Sequence, residues 1–163
     1  MEISLKDQVA IITGSSSGIG AGIAQSMAEA GATVVINYPS ENSLDKANTV
    51  LKEITDKGGK GIVYQCDVSQ EDEVIKMFQE VVKQLGTVDI LVNNAGIQKD
   101  AKFTEMTLDQ WNAVIGVNLT GQFLCAREAI NEFLRRGIDT KKSVACGKLI
   151  HISSVHEIIP WSG

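Results

Sequence analysis

The chain has 163 residues, 44% hydrophobic and 21% charged, enough for one domain with a core and ordinary for a globular protein. Its net charge of −5 argues against nucleic acid or an anionic membrane as partner, and no apolar run approaches the ~18 residues that span a bilayer. The start, Met1-Glu2-Ile3-Ser4-Leu5-Lys6, lacks the basic residues and long apolar run of a secretory signal. Cys66, Cys125 and Cys146, an odd set without CxxC spacing, read as reduced, mostly buried thiols of a cytoplasmic protein. Asn118-Leu119-Thr120 is then a chance match to a glycosylation sequon.

Val9-Ala10-Ile11-Ile12 reads as a strand buried on both faces, ending in a Gly/Ser turn. A helix follows from Gly18, with Ile19, Ile23 and Met27 on its apolar face and Gly31 as its C-terminal cap. Thr33-Val34-Val35-Ile36 is a second buried strand. Leu44, Ala47, Leu51 and Ile54 mark a second helix that Gly58-Gly59 ends. Gly61 to Cys66 is a third strand. Ser69 and Asp72 have capping-box spacing, with Asp in place of Glu, ahead of an apolar stripe of Val74, Met77, Phe78, Val81, Val82 and Leu85.

Val88 to Val92 is the fourth strand, followed by a polar loop from Asn93 to Met106. Thr107 and Gln110 form another capping-box pair. One long helix then carries Trp111, Val114, Ile115, Leu119, Phe123, Ala126, Ile130 and Phe133, with Trp111 as a packing anchor. Arg127, Arg135, Arg136, Lys141 and Lys142 read as solvated charges. Lys148 to Ile152 is a fifth strand, in which His151 is expected in the core or an interface. Alternating strands and helices predict an α/β fold with a parallel sheet and right-handed crossovers.

The turn Thr13-Gly14-Ser15-Ser16-Ser17-Gly18-Ile19-Gly20 lies between a buried strand and a helix. Its glycines permit a tight turn and close approach of the backbone to a pyrophosphate, with the helix N-terminus as anion site. The spacing is G-x-x-x-G-x-G rather than G-x-G-x-x-G.

Thr13-Gly14-x-x-x-Gly18-x-Gly20 resembles the cofactor signature of the short-chain dehydrogenase/reductase family, and Asn93-Asn94-Ala95-Gly96 resembles its second signature. The resemblance covers the whole chain. It implies a Rossmann-type doubly wound parallel sheet with five strands present, forming a single NAD(P)-binding domain whose last two strands and catalytic helix are missing. It implies cofactor contacts at Gly14, Ser16, Ser17, Gly18, Ile19 and Gly20 in the turn, and at Asn37 and Tyr38 after the second strand. Asp67 and Val68 would flank the adenine, and Asn94, Ala95 and Gly96 would line the nicotinamide side. Asn118, disfavoured by propensity in mid-helix, would hold a water of a proton relay. Ser154 would hold the substrate oxygen, and Ser153, pointing the other way, would be structural.

The implied activity is NAD(P)-dependent oxidation or reduction at a CH–OH group, in which a tyrosine and a lysine four positions later move the proton. That pair is absent: the only tyrosines are Tyr38 and Tyr64, neither with such a lysine, and the chain ends nine positions past Ser154. The expectation is a fragment of a longer enzyme, inactive by itself, with its fifth strand an uncovered apolar edge. The segment Asn37-Tyr38-Pro39-Ser40 holds no acid to select NAD, and Ser17 and Pro39 stand where a basic residue would select NADP, so NADP or dual use is favoured, with Asn37 and Ser40 free to bond a 2′-phosphate.

Val34 to Tyr38 and Ser154 to Trp161 look like the glucose 1-dehydrogenases of the family, with His156, Glu157 and Trp161 as sugar contacts. A 3-oxoacyl-carrier-protein reductase is the rival enzyme, and an NAD(P)-binding sensor is the reading if the chain is complete. The expected partner is a small alcohol or sugar, and the expected full-length assembly is a homotetramer packed through the long helix.

Overall fold

The four residues of β1 (Val9–Ile12) are all buried because helices cover both faces of the sheet. The computed structural model of the chain describes residues 4–159. β2 (Thr33–Tyr38), β3 (Lys60–Gln65), β4 (Ile90–Asn93) and β5 (Lys148–His151) join β1 in one parallel sheet of order β3-β2-β1-β4-β5. Ile12 stands opposite Ile36 and Val92, so Thr13, Asn37 and Asn93 emerge together at the C-terminal edge.

Alternate residues feed two cores. Ala10, Ile12, Val34, Ile36, Ile90 and Val92 pack with Ala24, Ala28, Ala47 and Ile54 of α1 (Gly18–Glu29) and α2 (Leu44–Asp56). Val9, Ile11, Val35 and Leu91 pack with Val74, Met77 and Val81 of α3 (Glu71–Leu85) and Leu124, Ala129 and Phe133 of α5 (Gly121–Arg136). The doubly wound Rossmann-type architecture expected from the sequence is therefore present, and among the described residues β5 is an edge strand with Ile150 exposed.

Several local expectations are corrected. Ile23 and Met27 of α1 pack against the core as expected, but Ile19 is 70% exposed, and the fully buried residues of the helix are Gly20, Ala21, Ala24 and Ala28. Small side chains let this helix lie close to the sheet. Ser69 does not cap α3, whose N-cap is Gln70; its N–H and hydroxyl instead donate to Asp67 Oδ1 at 3.0 and 2.8 Å. Gly31, at positive φ, ends α1 as expected, and the structure adds Gly86, also at positive φ, at the end of α3.

The Thr107–Gln110 capping box starts α4 (Leu108–Ile115) as expected. The long helix is broken by a π turn, Gly116–Thr120, before α5. Trp111, Leu119 and Phe123 of this stretch are exposed rather than packed in the core.

The arginines are not free charges. Arg136, 15% exposed, meets buried Asp89 at 3.2 Å, and Asp89 also accepts from Val9 N–H at 2.8 Å. Arg135 pairs with Glu132, and Arg127 with Glu71 and Glu128. His151 is exposed, with Nδ1 2.8 Å from Gln122 Oε1. Among the described residues no helix is long and apolar enough to cross a membrane.

Candidate active site

β1 has β2 on one side and β4 on the other, so the connections leaving its C-terminal edge run in opposite directions and open a crevice there. Two cavities occupy this edge. One, of about 320 Å³, is lined by Gly14, Ser17, Ile19 and Gly20 of the glycine turn, by Asn37 and Pro39, by Cys66, Asp67 and Val68, and by Asn94, Ala95, Gly96, Ile97 and Val117. The other, of about 360 Å³, is lined by Asn118, Ser154 and His156 together with Gln98, Lys99, Asp100, Met106, Gln110, Trp111, Val114 and Ile115. Ile97 borders both.

The glycines act by contact as well as by conformation. Gly14 has φ +62°, and a Cβ there would lie 2.9 Å from Ala95 Cα. A Cβ at Gly20 would lie 2.5 Å from Asn94 Nδ2. Gly18 has φ +59° and faces open space. The turn is tied to the second signature by Thr13, whose Oγ1 accepts from the N–H groups of Asn94 and Ala95, both at 2.9 Å. Asn94 Nδ2 in return donates to Thr13 O and Gly14 O.

The first turn of α1 has no side-chain cap, because Ser17 occupies the N-cap position without bonding a helix N–H. Those N–H groups have no intrahelical acceptor and lie beside the crevice. An uncapped helix start, a glycine at positive φ facing open space and a clear-walled cavity fit the pyrophosphate of a dinucleotide.

Other expected contacts resolve differently. Ser16 is buried and does not line the cavity. Tyr38 packs into the core with α1 and α2, and its phenol is pushed up by burial and then by Glu41. Asn37 is 1% exposed, and both its amide hydrogens are committed, to Cys66 O at 2.9 Å and Tyr64 O at 3.4 Å. It therefore has no donor for a 2′-phosphate, contrary to expectation, whereas Ser40 is exposed. Asp67 and Val68 do line the cavity, with Asp67 Oδ1 held by Ser69.

In the second cavity, Ser154 Oγ accepts from His156 N–H at 3.2 Å, which leaves the hydroxyl proton to donate. Asn118 is bonded twice to Ile97, through Oδ1 at 2.8 Å and Nδ2 at 3.0 Å, so its side chain holds the loop that carries Ile97. Glu157 does not line the cavity; it accepts a hydrogen bond from Ser153. Trp161 lies outside the described residues. Cys66 borders the first cavity, and burial, then Cys125, pushes its thiol up.

Thr13, Ser15, Ile97 and Trp111 were not singled out as site residues in the sequence. Thr13 opens the first signature and Ser15 lies within its turn, but which groups their hydroxyls bond is not visible in the sequence. Ile97 and Trp111 become visible only when the loop and α4 close one cavity.

This geometry defines a doubly wound α/β protein with a glycine-turn crevice and a second cavity beside it. The family model described as short chain dehydrogenase matches residues 8–163, and the chain belongs to that family. It is 40% identical over 157 residues to 3beta-hydroxysteroid dehydrogenase 1 of Eggerthella lenta, covering 96% of this chain and 57% of that protein. It is 41% identical over 146 residues to the 3-oxoacyl-acyl-carrier-protein reductase FabG of Staphylococcus epidermidis, covering 90% and 56%. A gluconate 5-dehydrogenase from Burkholderia cenocepacia, solved with NADP and tartrate, superposes with TM-score 0.84 at 35% identity, over 99% of this chain and 59% of that one. A short-chain type dehydrogenase/reductase from Mycobacterium marinum gives TM-score 0.87 at 34% identity, over 97% and 60%. The chain thus spans under two thirds of the length of these relatives.

Proposed function

We propose that the chain is the single NAD(P)-binding domain of an oxidoreductase acting on a CH–OH group, of glucose 1-dehydrogenase type. The observation that carries this reading is the pair of cavities meeting at Ile97, one walled by the glycine turn and the other by Asn118 and Ser154. The nicotinamide cofactor, when bound, accepts or supplies the hydride. Gly14, Ser17, Gly18, Ile19 and Gly20 receive the pyrophosphate; Asp67 and Val68 flank the adenine; Asn94, Ala95 and Gly96 line the path toward the substrate. Ser154 donates its hydroxyl proton to the substrate oxygen, and Asn118 keeps the loop at Ile97 in place between the two ligands.

Use of NADP, or of both cofactors, is favoured by the lack of an acid within Asn37-Tyr38-Pro39-Ser40 at the end of β2 and by the hydroxyls of Ser17 and Ser40, neither of which caps a helix N–H. A sugar substrate is supported by the aromatic face of Trp111 beside Gln98, Asp100, Gln110 and His156. Neither Tyr38 nor Tyr64 borders this cavity, so the chain alone binds cofactor without turning substrate over. Assembly into a homotetramer is supported by the apolar outer face of the long helix, where Leu119, Phe123 and Leu134 are 64%, 59% and 74% exposed. Three unpaired thiols suit a reducing cytoplasm. A 3-oxoacyl-carrier-protein reductase is the second reading, favoured by the 41% identity to such an enzyme.

Titration of the chain with NADH and NADPH, followed by nicotinamide fluorescence, tests the first part: saturable binding is expected, and none with either overturns it. Glucose oxidation against acetoacetyl-thioester reduction, by the protein extended through a Tyr-x-x-x-Lys segment, separates the two enzymes. Turnover of glucose by the 163-residue chain itself would overturn the role assigned to that segment.

A further inference from the structure

We propose that Asn37 is a positioning residue that fixes the distance between the pyrophosphate turn and the adenine wall, without touching the cofactor. This rests on the dinucleotide reading above. Asn37 ends β2 between the two halves of the crevice, and every polar group it has is used. Its Oδ1 accepts from Gly14 N–H at 2.9 Å. Its Nδ2 donates to Cys66 O at 2.9 Å, the residue before Asp67. Its own N–H donates to Ser15 Oγ at 3.1 Å, and its carbonyl accepts from Ser15 N–H at 2.9 Å. Ser15 Oγ in turn donates to Ile12 O at 2.7 Å.

One buried side chain therefore bonds the phosphate turn on one side and the end of β3 on the other. A dinucleotide spans both, so its binding depends on their separation. A ligand that occupies only one half does not. A buried amide with all hydrogens placed is rigid, because any shift leaves a desolvated polar group unpaired. The Gly14 N–H, being taken by Asn37, is withheld from the phosphate, which leaves the first-turn N–H groups of α1 as the anion donors.

The test compares whole and partial ligands on the chain and its Asn37→Ala variant. NADH and ADP-ribose are expected to weaken by about tenfold or more, while adenosine, read by NMR titration, stays within about threefold. Equal weakening of adenosine and NADH, or no weakening of either, overturns the proposal. If the alanine variant does not fold, Asn37→Ser is expected to show the same split, since it keeps polarity without the reach.

A measurement on the unsubstituted chain is independent of both variants. The Gly14 amide is expected to exchange as slowly as those of β1 before any ligand is added, and fast exchange overturns the clamp. If the unsubstituted chain binds neither NADH nor NADPH while Gly14 is protected, the dinucleotide reading fails and the clamp stands as a structural feature only.

Discussion

Asn118 grips both backbone groups of Ile97: its Oδ1 accepts from the Ile97 N–H at 2.8 Å, and its Nδ2 donates to the Ile97 carbonyl at 3.0 Å. The asparagine sits in the π turn between α4 and α5, and Ile97 is the wall common to the two cavities. Helix interiors with π geometry often mark functional sites, since the extra residue re-aims a side chain. Replacing Asn118 by Ala removes two hydrogen bonds from a half-buried site. The expected cost is about 1–2 kcal/mol in denaturant unfolding. Amide exchange at Ile97 is expected to accelerate while that at Ile11 changes only by the global loss. Unchanged exchange at Ile97 would show that the loop is held by something else.

Gly20 and Gly18 are separable. Gly20→Ala places a methyl 2.5 Å from Asn94 Nδ2 and 2.8 Å from Gly14 O, so the bonds that tie the two signatures must break. Overpacking of this kind costs about 1–3 kcal/mol, and NADH affinity is expected to fall with it. Gly18→Ala meets no atom within 4 Å and costs only its left-handed backbone, about 1–2 kcal/mol. Calorimetric Tm and NADH titration of both variants check the contrast.

Arg136 and Lys102 predict opposite outcomes for two ion pairs. Arg136→Leu leaves Asp89, 4% exposed, without its cation, and a loss of about 3 kcal/mol is expected. Lys102 pairs with Glu105 at the surface, their side chains 78% and 63% exposed, and Lys102→Ala is expected within about 0.5 kcal/mol of the parent. Urea unfolding midpoints at equal slope decide both.

The buried thiols make stability fall at high pH. Burial pushes the Cys125 thiol up to about 12, and the Cys66 thiol is raised too, from an ordinary value near 9.0. Below pH 9 both are protonated in folded and unfolded chains, so stability is level. As pH rises past that value the unfolded thiols ionise and the folded ones do not, so the unfolded state binds fewer protons and stability drops. The expected slope is about 1.4 kcal/mol per pH unit for each thiol. Cys125→Ala should lessen the slope. In native protein at pH 8, a thiol reagent is expected to reach half-buried Cys146 alone, and all three cysteines after unfolding.

Much of this was legible in the residues themselves. The order of strands and helices, the capping box at Thr107 and Gln110, and the glycines that end α1 and α2 follow from local periodicity and backbone conformation. Ser69 and Asp72 have the spacing of a cap, but the Ser69 hydroxyl donates to Asp67 and its oxygen accepts from the Gln70 side chain. Arg136 is one more basic residue at a helix end until Asp89 arrives from β4. Asn37 has the look of a ligand contact until β3 closes over its amide. For Arg136 and Asn37 a residue distant in sequence decides which partner the polar group takes, whereas Ser69 is claimed by neighbours one and two positions away.

The sequence by itself therefore determined the parallel α/β alternation, the phosphate turn and the family's two signatures, because glycine spacing and apolar periodicity act within a few residues. Only the tertiary structure decided which side chains face ligand and which hold the scaffold. Asn37 and Asn118 both bond backbone groups through oxygen and nitrogen of their side-chain amides. The reason is physical: a buried amide must be satisfied, and its partners, Gly14, Cys66 and Ile97, are brought within reach only when β1, β3 and the loop after β4 assemble.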